Sequence, residues 1–215
     1  MTDKICLVVG GVCEDGFVKE YIKKESFDSI IAVDSGLDFF VGKKMLPDIA
    51  LGDFDSVSEK GKDLLEMIDE VVFYENKTDF TDTEAAILKA IDMEAKSIHI
   101  LAGTGGRLDQ FLGILQSMAL CLEKNVECIM VDSKNRIRLI DSDFEIKKSD
   151  QFGKYISFVP FAGDVSGADL KGFKYDVTDY TFHSIGDDGT SNEIEEETAK
   201  ISFGGGILIV IESKD

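Results

Sequence analysis

Positive charge is scarce in this chain: 23 Lys and Arg stand against 42 Asp and Glu, a formal net charge of −19. Phosphate backbones are held by clustered Lys and Arg, so this balance argues against a nucleic-acid partner. A small phosphorylated ligand remains compatible, provided a divalent cation stands between its phosphates and the carboxylates and a few basic groups are close by. Long hydrophobic runs are also missing; no stretch approaches the ~18 apolar residues of a membrane span, so no membrane partner is expected. Histidine is limited to His99 and His183, too few and too far apart in sequence to suggest a zinc site. The four cysteines, Cys6, Cys13, Cys121 and Cys128, form no CxxC pair, and two of them lie in apolar runs. They read as buried reduced thiols in a reducing compartment. There is no low-complexity stretch and only two prolines, so no long linker is indicated. Met1-Thr2-Asp3-Lys4 leads into an apolar run without the basic start and cleavage site of a signal peptide, and the expected location is the cytoplasm.

What is present is an alternation. At 215 residues and 44% hydrophobic content the chain can bury a real core, and its length suits one compact domain plus a smaller one. Apolar runs at 5–11, 29–33, 48–52, 70–75, 97–103 and 126–132 are hydrophobic on both faces, as strands of a covered parallel sheet are. Helical candidates fall between them near 15–25, 36–45, 58–69, 81–93 and 108–124. This predicts an α/β fold, a doubly wound, mostly parallel sheet over residues 1–135. After residue 135 the texture changes to short strand-like runs broken by Gly, Asp and Ser, which predicts a smaller antiparallel β-sandwich domain over 136–215. The acidic run Glu193-Ile194-Glu195-Glu196-Glu197 reads as a solvated hairpin or strand edge.

In open α/β sheets, ligands bind outside the carboxyl ends of the strands. Three segments fall at that edge. In LGDFDSVS, residues 51–58, an extended loop would project Asp53 and Asp55 to one side, a pairing that suits a hard divalent cation. The plainer reading is a strand-to-helix turn capped by Ser56 or Ser58. In NKTDFTDTEAAI, residues 76–87, Thr81 and Glu84 match a capping box and Asp82 suits a helix start, which leaves Asp79 and the nearby Lys77 unexplained. In LAGTGGRLDQFLGIL, residues 101–115, Gly103, Gly105 and Gly106 precede a helix carrying Arg107 and Asp109. Such a loop either cradles phosphate, with backbone N–H groups and a bidentate Arg, or makes a tight turn. Together the three segments point to a metal-bridged polyphosphate and to phosphoryl-type transfer driven by positioning and charge neutralisation.

The ordered set AVDSG (32–36), PDIALGDFDS (47–56), DFTDTE (79–84), GGRLD (105–109) and GTSNE (189–193) resembles the thiamine pyrophosphokinase (thiamine diphosphokinase) family over nearly the whole chain. The resemblance implies an N-terminal catalytic, nucleotide-binding domain and a C-terminal β domain contributing to thiamine binding. It implies a homodimer with active sites in clefts at the interface. The implied reaction is Mg2+-dependent transfer of the terminal pyrophosphoryl group of ATP to the hydroxyethyl oxygen of thiamine, giving thiamine diphosphate and AMP. Carried onto this sequence, Asp53 and Asp55 match the metal- and phosphate-site acids. Asp79 and Asp82 match the second acidic motif, with Asp79 a further metal ligand, and one of these two orients or deprotonates the attacking hydroxyl. Arg107 and Asp109 match the glycine-loop pair, with Gly105 and Gly106 beside them. Asp34, Ser35, Gly36 and Thr81 match nucleotide-side positions, and Ser191 and Asn192 match the thiamine motif. Three departures stand out: Gln110 occupies a position where many members have His, Thr78 separates Lys77 from Asp79, and no Trp is available to stack on substrate, leaving Phe182 or Tyr180 as candidates.

Two other readings compete. A haloacid-dehalogenase-like phosphatase also uses a DxD motif, but after its first strand, whereas Asp53 follows about the third. A non-catalytic nucleotide or thiamine sensor on the same fold would keep the pockets and lose the acids, which are retained here.

Overall fold

The computed structural model describes residues 3–10, 13–74 and 80–215. Asp79 therefore lies outside the described residues. The chain divides into two compact units, Met1–Ser133 and Lys134–Asp215.

The first unit is built on six strands: β1 (Lys4–Val8), β2 (Ser29–Val33), β3 (Ile49–Gly52), β4 (Glu70–Phe73), β5 (Ser97–Leu101) and β6 (Glu127–Val131). All pair in parallel, in the order β6-β5-β1-β2-β3-β4. In β1, Ile5, Cys6, Leu7 and Val8 are completely buried, so neither face of the central strand meets water. That is why its sequence is a continuous apolar run rather than an alternating one. Around the sheet lie α1 (Asp15–Glu25), α2 (Glu59–Lys62), α3 (Asp82–Asp92), α4 (Leu108–Ser117) and α5 (Ala119–Glu123). Helix α3 buries Ala85, Ala86, Ile87 and Ala90, and its small side chains suit close approach to neighbouring elements.

Three helical expectations are altered. The candidate at 36–45 is a 3₁₀ segment, Asp34–Phe40, in which Leu37 and Phe40 repeat every three residues and are both buried. At its start Asp34 has φ +46, which no regular α-helix accommodates, and Gly36 packs so close to β1 that a Cβ there would stand 2.0 Å from the Val8 carbonyl oxygen. The candidate at 58–69 is the short α2 followed by a 3₁₀ turn, Asp63–Met67. Gly61 sits inside that one turn and weakens it. The candidate at 108–124 divides at Met118 into α4 and α5, where Cys121 N–H bonds back three residues to Met118 O at 3.1 Å.

The second unit has two antiparallel sheets. One contains β12 (Asn192–Glu193), β9 (Tyr155–Pro160), β14 (Leu208–Ser213) and β7 (Asn135–Ile140) in that order. The other contains β11 (Val177–Phe182), β10 (Val165–Lys171), β13 (Thr198–Ser202) and β8 (Phe144–Lys147). Both contribute to one core, with Phe158, Leu208 and Val210 from the first and Val165, Ala168, Ala199 and Ile201 from the second. Strand β10 carries no alternating pattern in sequence, because Ser166 and Gly167 are both exposed and the pairing with β11 shifts register twice. The acidic run is a strand edge in which only Ile194 is buried, bridging to Phe173, while Glu195, Glu196 and Glu197 face solvent. Glu212 is 1% exposed and is gripped by Arg136 through two bonds of 2.8 and 2.7 Å, with Phe152 N–H at 2.9 Å.

Candidate active site

Strand order reverses at β1: the chain runs outward through β2, β3 and β4, then returns to the other side of β1 as β5 and β6. Loops leaving β1 and β5 separate there and open a crevice at the carboxyl edge, the usual ligand position in such sheets. A cleft of about 490 Å³ occupies this place, entirely within the first unit. Its wall includes Gly10 after β1, Asp34 and Ser35 after β2, Thr81 and Asp82 at the start of α3, and Gly103, Gly105, Arg107 and Asp109 after β5. Residues of AVDSG, DFTDTE and GGRLD thus converge on one cavity, whereas Asp53 and Asp55 are not part of its wall and act on it through their charge. Gly36 is buried beneath Ser35, and Gly106 supplies the turn of the glycine loop at φ +84.

The loop carrying Asp53 and Asp55 is not extended. Phe54 adopts φ +59 and turns inward to a buried position, covered on its outer side by the exposed Phe73, which it meets edge-on at 5.2 Å. Period-two alternation therefore does not govern the two acids. Asp53 Oδ1 instead accepts the Asp55 N–H at 2.9 Å, a local turn bond that gives Asp53 a loop-ordering role. Ser58, as anticipated for the plainer reading, caps α2 by accepting the Gly61 N–H at 3.1 Å. Gly52 must be glycine: its φ is +147, and a Cβ there would lie 3.1 Å from the Asp34 Cα.

These acids share one field. Burial is the main force raising the Asp34 carboxyl above its ordinary value, followed by the negative charges of Asp53, Asp55 and Asp38. Asp82 is raised for the same reasons, burial first and then Asp34 and Asp53. Asp34 Oδ1 is buried with no hydrogen-bond partner. Among the described residues no three metal-ligating side chains stand together in a ready-made cation site. A cation nevertheless suits the residues present, since it would satisfy the orphaned oxygen and relieve the repulsion among the acids.

Opposite in charge is the glycine loop. Arg107 precedes α4, is 70% exposed and forms a fork with Asp109, with Nε–Oδ1 at 3.1 Å. Thr81 caps α3 by accepting the Glu84 N–H at 3.2 Å. The Glu84 carboxylate lies 3.5 Å from the Ser117 hydroxyl, so the capping box is realised in its Thr81 half.

In the second unit, Ser191 is exposed at φ +58 and donates its N–H to Ser157 Oγ at 3.0 Å. Asn192 is buried, and its amide clamps the Tyr175 backbone from both sides, Oδ1 accepting N–H at 3.0 Å and Nδ2 donating to C=O at 2.9 Å. Phe182 is sealed in the core and offers no face to a ligand, while the Tyr180 hydroxyl donates to Asp188 at 2.7 Å. The remaining reactive side chains have structural surroundings. Cys6 is completely buried and its thiol is pushed well up, and His99 is buried with Nδ1 2.8 Å from the Tyr21 hydroxyl.

A switch-point cleft that sets half-buried acids against a glycine-loop arginine has the features of a nucleotide-dependent phosphoryl-transfer enzyme. Comparison with known proteins shows the family. The family model described as Thiamin pyrophosphokinase, catalytic domain, matches residues 18–130, and that described as Thiamin pyrophosphokinase, vitamin B1 binding domain, matches residues 142–208. The chain is 33% identical over 187 residues to the thiamine pyrophosphokinase of Bacillus subtilis, covering 86% of this chain and 87% of that protein. The crystal structure of thiamine pyrophosphokinase from the same organism superposes with a TM-score of 0.87 at 30% identity, over 99% of this chain and 100% of that one. The thiamin pyrophosphokinase structure from Geobacillus thermodenitrificans gives 0.83 at 27% identity, over 99% and 98%. The chain belongs to the thiamine pyrophosphokinase family. Its reaction is transfer of the pyrophosphoryl group of ATP to thiamine, giving thiamine diphosphate and AMP. The phosphatase and sensor readings find no support in these matches, and Asp53 follows β3 rather than a first strand. Among the described residues no helix is long and apolar enough to cross a membrane.

Proposed function

We propose that the first unit's cleft holds the ATP polyphosphate and that the ion required is Mg2+. The observation that carries this reading is the buried, unpartnered Oδ1 of Asp34 in the field of Asp53 and Asp55. Asp53, Asp55 and Asp79 are the proposed metal ligands, with Asp34 added to them by its position. The ion would supply charge neutralisation on the phosphate oxygens. Ser35, Gly36, Thr81, Gly105 and Gly106 shape the nucleotide side with backbone N–H groups and a helix N-terminus. Arg107 leaves its fork with Asp109, or shares it, to neutralise charge developing on the transferred group.

The reaction joins the thiamine hydroxyl oxygen to the β-phosphorus of ATP and breaks the bond from that phosphorus to the α–β bridging oxygen, which departs with AMP. The hydroxyl proton goes to a carboxylate. Asp82 is the proposed acceptor, because its raised affinity for protons brings it nearer the working range of a general base. Ser191 is the proposed contact to thiamine through its exposed hydroxyl, and Asn192 serves the same site by fixing the loop and Tyr175. A homodimer with active sites at the interface and a cytoplasmic location complete the reading; free, mostly buried thiols are consistent with a reducing compartment.

The test is cation dependence coupled to one acid. Protein stripped with a chelator should form thiamine diphosphate only when Mg2+ is restored, and Asp53→Asn should lose most of that restored activity. Activity without a divalent cation, or a fully active Asp53→Asn, contradicts the reading.

A further inference from the structure

Both ends of the acidic loop rest on one 3₁₀ segment. At its start, Gly52 lies against Asp34, since a Cβ on Gly52 would stand 3.1 Å from the Asp34 Cα. At its end, Ser58 donates its N–H to Asp38 Oδ2 at 3.1 Å and its hydroxyl to Asp38 Oδ1 at 2.5 Å. Asp34 and Asp38 belong to the same segment, Asp34–Phe40. Helix α2 closes directly over this contact, since a Cβ on Gly61 would lie 2.3 Å from Asp38 Oδ1. Asp38 is not part of the wall of the main cleft, and two donors from Ser58 engage its carboxylate.

We infer that Asp38 is a positioning residue for the transfer reaction: through Ser58 it clasps the exit of the loop, so that Asp53 and Asp55 stay registered against Asp34. Charge-assisted bonds of this kind are strong enough to set a short loop's path. The Gly61 contact leaves the Asp38 carboxylate little room to adopt another orientation. The inference rests on the reading of the acid cluster as a cation site.

Asp38→Ala, Asp38→Asn, Ser58→Ala and the Asp38→Ala/Ser58→Ala pair can be compared as full-length proteins. Mn2+ binding is followed by paramagnetic resonance of the free ion, with melting curves and steady-state kinetics alongside. Asp38→Ala should weaken Mn2+ binding about tenfold, the scale of one lost charge-assisted hydrogen bond. The cation concentration for half-maximal turnover should rise by a similar factor, while the KM for thiamine stays put. Asp38→Asn keeps an acceptor oxygen for Ser58 and should recover part of the loss. Ser58→Ala removes the hydroxyl bond and keeps the backbone N–H bond to Asp38, so it should lose part of what Asp38→Ala loses, and the pair should be no worse than Asp38→Ala alone, because both act on one clasp. If Asp38→Ala does not fold, Ser58→Ala decides the matter. Unchanged Mn2+ affinity with only a lower melting temperature makes the clasp purely structural and overturns the inference. A wild-type protein that binds no Mn2+ overturns the cation reading itself, an outcome distinct from variants that bind as wild type does.

Discussion

Replacing Asp34 with Asn separates the two effects of its carboxylate. The backbone tolerates the change, because φ +46 is a conformation that Asn adopts readily. Shape is kept and one charge is lost. Without a divalent cation that charge is a burden: burial and the neighbouring acids raise the Asp34 and Asp82 carboxyls above the ordinary value of 3.8. Groups raised in this sense favour the folded state below pH 3.8, and that contribution is lost as pH rises through their raised values. At neutral pH the repulsion persists, and the half-open position of Asp34 screens it to on the order of 1 kcal/mol. Asp34→Asn should therefore melt about 2–4 °C above wild type in chelator. With cation at a hundredfold excess over its dissociation constant the wild type should gain about 2.7 kcal/mol, most of which the variant forgoes. The order of melting temperatures should invert when Mg2+ is added. Turnover should fall by roughly two to three orders of magnitude, the scale of losing one preorganised electrostatic contact. Scanning calorimetry with and without Mg2+ reads the inversion directly. A variant that melts below wild type in chelator, or shows the same Mg2+-induced shift, refutes the reasoning.

Asp55→Asn should lose about a hundredfold or more in kcat while the protein stays folded, because the bond from its N–H to Asp53 is a backbone contact that survives; wild-type kcat would remove Asp55 from the site. Arg107→Lys should raise the KM for ATP about tenfold or more while leaving the melting temperature alone, since Lys cannot reproduce the fork; an unaffected ATP KM in steady-state assays would count against a phosphate role. Glu212→Ala strands Arg136 in a largely buried position and should cost about 3 kcal/mol or more in denaturant unfolding; a loss below about 1 kcal/mol would make the pair dispensable. Gly36→Ala places a methyl 2.0 Å from the Val8 carbonyl oxygen and should destabilise by about 1–3 kcal/mol, with a shifted 3₁₀ segment and lower activity; a neutral effect on melting would mean that the segment moves freely.

Where burial was uniform, sequence alone placed the elements well. The strand of Ile5 to Val8 and its parallel neighbours are apolar on both faces, so continuous hydrophobic runs mark them, and the parallel order then carries the post-strand loops to one edge. Legibility failed where a side chain left its periodic place. Phe54 interrupts the acidic pair by entering the core with a left-handed backbone, so the geometry of Asp53 and Asp55 could not follow from alternation. The Asp34–Phe40 segment needs Gly36 because it packs against Val8, a contact between residues far apart in sequence. Asn192 enters the thiamine motif through the family resemblance, and the bonds of its amide to the Tyr175 backbone, 17 residues away, have no mark in the sequence. Strand β10 stayed hidden because two register shifts erase its alternation.

The central claim is that this chain moves an intact pyrophosphoryl group in a cation-dependent cleft. Phosphorus NMR of wild-type protein with ATP, thiamine and Mg2+ measures it most directly. The expected result is one AMP formed for each thiamine diphosphate, abolished by chelator and nearly abolished in Asp34→Asn. Accumulation of ADP or orthophosphate without AMP would contradict it.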